Sequence, residues 1–126
     1  MNLGKRVYIL GNGGSHANAA HMANDLLSVG VKAYTMDAAT LTAFANDYGY
    51  ENAFARWIGI VGEQNDLLIA LSGSGKSPNI LNAIKEAERI GMNVERVFGA
   101  EQGMDMQRAE EYQITLAHDL MRGLRK

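Results

Sequence analysis

The sequence predicts an α/β domain built around a parallel, doubly wound β-sheet. Two observations carry this expectation. Short apolar, β-branched runs stop at loops of glycine and serine, and each such loop is followed by a stretch whose apolar residues recur at helical spacing. Strands that alternate with helices require right-handed crossovers, which cover both faces of the sheet and gather ligand-binding loops at the carboxyl edges of the strands. The 126 residues suit one domain, 1–126, and no internal repeat, low-complexity tract or linker divides it.

Residues 5–10, Lys-Arg-Val-Tyr-Ile-Leu, read as a first strand that ends at Gly11-Asn12-Gly13-Gly14. Ser15 then stands as the expected N-cap of a helix in which Ala19, Met22, Ala23 and Leu26 keep helical spacing. A second strand is expected over 32–36. Helices over 39–45 and 51–61 flank the polar segment Asn46-Asp47-Tyr48-Gly49-Tyr50. The continuous run Leu-Leu-Ile-Ala-Leu within 66–71 suggests a strand buried on both faces, and Ser72-Gly73-Ser74-Gly75 follows it. Ser77, with Pro78 at the first helical position, opens a helix over 79–90 that keeps Ile80, Leu81, Ile84 and Ala87 on one stripe and closes at Gly91. Residues 93–98 and 112–116 complete five strand candidates, leaving 117–126 unassigned.

Composition narrows the function. Twelve Lys and Arg against fourteen Asp and Glu give a formal net charge of -2, too little cationic surface to neutralise a nucleic-acid backbone. The absence of cysteine excludes disulfides, thiolate zinc ligands and thiol catalysis, and fits a reducing compartment. No apolar run approaches the roughly 20 residues of a membrane helix, and no hydrophobic signal core follows Met1. A cytoplasmic protein without membrane or nucleic-acid partners is the expectation.

Glycine-rich turns between strand and helix are where phosphates bind, so nucleotide patterns come first. The dinucleotide fingerprint requires glycine where His16 stands. The P-loop pattern shares Gly75-Lys76-Ser77 but needs its first glycine at Ala70, inside the apolar run. Both fail. A phosphate monoester site remains: Ser72, Ser74 and Ser77 lie within six residues, Gly73 and Gly75 let the backbone turn its amides inward, and a helix N-terminus follows. The same residues also suit a turn that only caps a helix. Lys76 fits either a charge contact or a solvated surface, and Ser15 either a cap alone or a cap that also meets a ligand.

Three ordered segments bear a family resemblance. They are Gly11-Asn12-Gly13-Gly14-Ser15-His16 running on to His21-Met22-Ala23-Asn24-Asp25-Leu26, then Asn46-Asp47-Tyr48-Gly49-Tyr50-Glu51 with Phe54 and Arg56, and then Leu71 to Leu81. Together they resemble the signatures of the phosphoheptose isomerases, members of the sugar isomerase (SIS) fold. The resemblance implies a three-layer α/β sandwich with a five-stranded parallel sheet of flavodoxin-like topology, acting on sedoheptulose 7-phosphate or a related ketose phosphate in carbohydrate biosynthesis. It implies substrate contacts from Asn12, Gly13, Ser15, Asp47, Ser72, Gly73, Ser74 and Ser77, with Gly73 in the place of a family threonine. The catalytic pair would be His21 and Asp25, which at i, i+4 share one helix face. An aldose–ketose isomerase needs a base for a carbon-bound proton, an acid for oxygen and stabilisation of an enediolate. By the resemblance, related enzymes use the helix carboxylate and a second histidine, some hold zinc with both, and zinc is a candidate cofactor here. His21 and Asp25 supply two metal ligands where catalytic zinc takes three protein groups.

The resemblance also implies departures. Asp25 replaces a family glutamate and is shorter by one methylene, about 1.5 Å. The chain enters its first strand by Lys5, so the oligomer-forming N-terminal helices of the family are expected to be missing. A C-terminal helix bearing a glutamine and a histidine is expected to be missing as well, with His118 a loop histidine. A homodimer or homotetramer is expected, because so few covering helices leave apolar surface bare. The alternative is a noncatalytic SIS module that binds a sugar phosphate as a sensor or protein adaptor. A local hydrogen bond for His21 and a solvated carboxylate for Asp25 are the corresponding structural roles.

Overall fold

The computed structural model describes residues 3–125. Met1, Asn2 and Lys126, which the 1–126 domain boundary includes, lie outside the described residues. Strands β1 (Val7–Leu10), β2 (Ala33–Tyr34), β3 (Leu67–Ser72) and β4 (Asn93–Phe98) form one parallel sheet in the order β2-β1-β3-β4. Helices α1 (Gly14–Ser28), α2 (Ala38–Tyr48), α3 (Tyr50–Val61), α4 (Pro78–Ile90) and α5 (Met106–Leu124) connect or follow the strands, with a short 3₁₀ turn at Gly99–Gln102 before α5.

Every residue of β1 and β3 is buried, as expected for central parallel strands covered on both faces. Strand alternation sorts their side chains into two clusters. Tyr8, Leu10, Leu68 and Ala70 pack with Phe54 and Ile58 of α3 and Ile80, Ala83, Ile84 and Ala87 of α4. Val7, Ile9, Leu67, Ile69 and Leu71 pack instead with Ala19, Met22, Ala23 and Leu26 of α1 and Ala117 of α5. Glu95 and Arg96 expose charge on β4, which blunts that edge of the sheet. Among the described residues, no helix is long and apolar enough to cross a membrane.

The sheet has four strands, which corrects the expectation of five. Residues 112–116 lie inside α5. Tyr-Gln-Ile-Thr-Leu alternates like a strand over five residues, yet Ala109, Tyr112, Leu116, Ala117, Leu120 and Leu124 form one helical stripe over a far longer segment. Asp105 caps that helix by accepting the Arg108 N–H at 2.8 Å. The C-terminal helix expected to be missing is therefore present, and it starts directly after the 3₁₀ turn. The N-cap of α1 is Gly13 and not Ser15, because Gly13 takes φ 55°, a left-handed conformation open to glycine at little cost. Ser15 is buried inside the first turn.

Asp66 is the polar anchor beneath β3. It is fully buried, and its carboxylate accepts the Arg6 N–H at 3.2 Å and the Glu63 N–H at 2.9 Å. Asp66→Ala leaves both donors without that acceptor and is expected to cost about 3 kcal/mol by urea denaturation; a cost below about 1 kcal/mol would contradict this role. Burial, with the Asp66 carboxylate nearby, raises the pKa of the Tyr8 phenol, whose hydroxyl donates to the Val61 carbonyl at 3.0 Å. Because the folded value lies above the unfolded one near 10, this contribution is intact below pH about 10 and is lost as pH rises through the folded value. Tyr8→Phe should flatten the alkaline limb of a stability–pH curve.

Candidate functional site

The β1–α1 and β3–α4 loops meet because β1 and β3 pair in register from Val7↔Leu67 to Leu10↔Ala70. Between them lies a hollow of about 60 Å³ lined by Asn12, Ser15, Ser72, Gly73, Ser74 and Ser77, with Leu71 and Met106 of α5 completing the wall. All three loop serines predicted from the sequence thus face one space. Ser72 Oγ accepts the Gly75 N–H at 2.9 Å, and Ser74 Oγ accepts the Lys76 N–H at 3.1 Å, so the hydroxyls also shape the turn. Ser77 is the N-cap of α4 but makes no side-chain cap bond, so its hydroxyl is not committed to the helix. Ser15 Oγ accepts from Gln113 Nε2 of α5 at 3.1 Å, and Gln113 in turn accepts from Asn18 at 2.9 Å. Gln113 is buried and was not found by sequence reasoning, because its segment read as a strand.

Gly73 leaves room for Met106: a Cβ there would crowd the thioether of that half-exposed side chain, which would have to swing aside. Met106 thus occupies the space that the side chain of a threonine at this position would take.

The second cluster lies farther along α1. His21 Nε2 is 3.2 Å from Asp25 Oδ2 and 3.0 Å from His118 Nε2, and His118 Nε2 is 3.9 Å from the same Asp25 oxygen. The expectation for His118 is therefore corrected. It sits on α5, not in a loop, because the helix starts eleven residues earlier than the unassigned 117–126 segment and turns His118 toward α1. Asp25 is 7% exposed, and its Oδ2 is buried without a hydrogen bond. Three potential ligand atoms within 4.8 Å of one another, one of them a buried carboxylate oxygen without a hydrogen-bond partner, fit a divalent cation. Asp47 behaves differently. It is exposed on α2, accepts from Asn46 Nδ2 at 3.2 Å, and does not line the hollow. Gly13 is exposed at the rim of the β1–α1 loop. Two larger open grooves, of about 580 Å³ and 780 Å³, contain none of the predicted site residues.

A family model for the SIS domain matches residues 1–98. The chain belongs to the SIS domain family. Among curated relatives, a phosphoheptose isomerase of Burkholderia pseudomallei is 45% identical over 97 residues, covering 71% of this chain and 49% of that protein. A phosphoheptose isomerase of Campylobacter jejuni is 37% identical over 142 aligned positions, covering 95% of this chain and 76% of the relative. The chain thus spans about half the length of its Burkholderia relative. A solved phosphoheptose isomerase from Neisseria gonorrhoeae superposes with a TM-score of 0.85 at 28% identity, covering 94% of this chain and 75% of that one. Another from Francisella tularensis gives 0.84 at 30% identity. The shared fold of this chain therefore extends beyond the 98 residues of the family match, into α5.

Gly73→Thr tests the seating of Met106. The substitution should lower stability by about 1 kcal/mol, a modest overpacking cost, and should lose that cost in a Met106→Ala background. An equal loss in both backgrounds would show that Met106 is not the obstacle.

Proposed function

We propose that the chain, as a single domain over 1–126, is an aldose–ketose isomerase of phosphosugars, with sedoheptulose 7-phosphate or a related ketose phosphate as substrate. The observation that carries this reading is the pairing of two sites on one helix. A hydroxyl-lined hollow lies at the N-terminus of α1, and a His–Asp–His cluster lies six residues on from Ser15, about 9 Å by helix rise. An extended sugar chain of six or seven carbons bridges such a distance. Its phosphate would take hydrogen bonds from Ser72, Ser74, Ser77, Asn12 and Ser15, with the positive ends of α1 and α4 facing the charge. The backbone at Gly13 and Gly73 would come close to the ligand, and Asp47 would bind sugar hydroxyls by resemblance alone.

At the other end, Asp25 would take the proton from carbon and a histidine of the cluster would protonate oxygen, so that the carbonyl moves between C1 and C2. His118 supplies the partner that His21 and Asp25 lack by themselves. Asp25, although one methylene short of the family glutamate, lies in contact range of both imidazoles. When bound, a zinc ion held by His21, Asp25 and His118 would supply Lewis acidity for the carbonyl and the enediolate. A homodimer or homotetramer fits helix α2, none of whose residues is fully buried. A cytoplasmic location fits a chain without cysteine.

The aspartate in place of glutamate favours a second reading, a noncatalytic module that binds the same ligand as sensor or adaptor. Incubation with sedoheptulose 7-phosphate, with and without zinc, separates the two. The enzyme reading expects aldose product and a fall in kcat of about 10²-fold or more in His118→Ala, with sugar-phosphate binding retained. A rise in melting temperature with sugar phosphate but no turnover at any zinc concentration would establish the module instead.

A further inference from the structure

Asn79 and Tyr50 belong to no part of the site described so far, yet both bond to Asn12. Asn79 is the second residue of α4 and only 2% exposed, whereas Tyr50 opens α3 and is 52% exposed. Two carboxamides meet head to tail: Asn12 Nδ2 donates to Asn79 Oδ1 at 3.0 Å, and Asn79 Nδ2 donates to Asn12 Oδ1 at 2.8 Å. The Ile80 N–H also donates to Asn79 Oδ1 at 3.0 Å, which dictates which end of the Asn79 amide faces the helix. The Tyr50 hydroxyl donates to Asn12 Oδ1 at 2.7 Å.

We infer that Asn79 and Tyr50 are positioning residues that fix the Asn12 carboxamide so that its second Nδ2 hydrogen is delivered into the hollow as a donor for an oxyanion. The polarity is set from the backbone outward. Ile80 orients Asn79, Asn79 orients Asn12, and Tyr50 fills the remaining acceptor site of Asn12 Oδ1. A flipped Asn12 would turn its amino group onto the Asn79 amino group, which Ile80 holds in place, so the unflipped state is retained and the Tyr50 hydroxyl donates to it. Asn79 has a second effect. By accepting the Ile80 N–H it performs the capping that Ser77 would otherwise supply, which leaves the Ser77 hydroxyl for the hollow. The amide pair also joins the β1–α1 loop to the start of α4, holding the two walls of the hollow at a fixed separation.

This inference rests on the reading of the hollow as a phosphate site, and the test separates the two. Inorganic phosphate is titrated into ¹⁵N-labelled protein, and sugar-phosphate kinetics are measured alongside. Phosphate should shift one of the two Asn12 side-chain amide protons and leave its geminal partner, bonded to Asn79, nearly unmoved. Tyr50→Phe, on an exposed ring that folding does not need, should weaken phosphate binding about fivefold and raise KM by a similar factor, with kcat within about twofold. In an Asn12→Ala background the same hydroxyl deletion should change the dissociation constant by less than about twofold. Asn79→Asp keeps the acceptor for Ile80 but cannot donate to Asn12, so it should move both Asn12 amide protons before any ligand is added. A Tyr50→Phe protein that binds phosphate as tightly as the wild type, or an equal loss in both backgrounds, would overturn the positioning role. Failure of the wild-type protein to bind phosphate at all would overturn the phosphate reading of the hollow, and this inference with it.

Discussion

The pairing of β1 with β3 is the constraint on which the rest depends. Parallel pairing from Val7↔Leu67 to Leu10↔Ala70 brings the carboxyl ends of β1 and β3, which runs two residues farther to Ser72, to the same edge of the sheet, so the loops that follow them are neighbours. Neither loop makes a pocket by itself. Asn12 and Ser15 come from one, Ser72, Ser74 and Ser77 from the other, and the hollow exists only because the sheet brings both loops to one edge. The register is held from below by Asp66, whose carboxylate binds the backbone of Arg6 ahead of β1 and of Glu63 ahead of β3. A one-residue slip would exchange the side chains of β1 and β3 between the two core clusters, which differ in the size of the groups they accept.

Much of this was legible in the residues. The apolar run at 67–71 can be satisfied only by burial on both faces, and the small residues after it can only form a turn, so β3 and its loop follow from chemistry visible in one dimension. Pro78 after Ser77 and Gly91 after Ile90 bracket α4 in the same way, and Gly91 does adopt the left-handed C-cap conformation. The polar stretch at 46–50 was less clear. It is shared between two helices that break at Gly49 rather than forming a loop of its own.

What escaped the sequence has one physical origin. Tyr112, Ile114 and Leu116 alternate locally as a strand does, while the stripe from Ala109 to Leu124 shows only when Asp105 is taken as a cap. Once that segment reads as a strand, Gln113 and His118 lose their places, and the His21–Asp25 pair is left without its third member. The pairing of His118 with His21, 97 positions apart, depends on how α5 packs along α1, and no local pattern encodes it. Ser15 shows the reverse case: its identity suits a cap, but glycine before it satisfies the turn and Gln113 claims its hydroxyl. The Asn12–Asn79 pair is likewise a product of two loops that are remote in sequence.

The short passage from β4 into α5 has a mechanical side. One helix touches the serine-lined hollow at its first residue, Met106, holds Ser15 through Gln113, and reaches the imidazole pair at His118, twelve residues or about 18 Å farther on. Packed along α1, this single helix sets the distance between the hollow and the imidazole pair by its own length, with no loop in between.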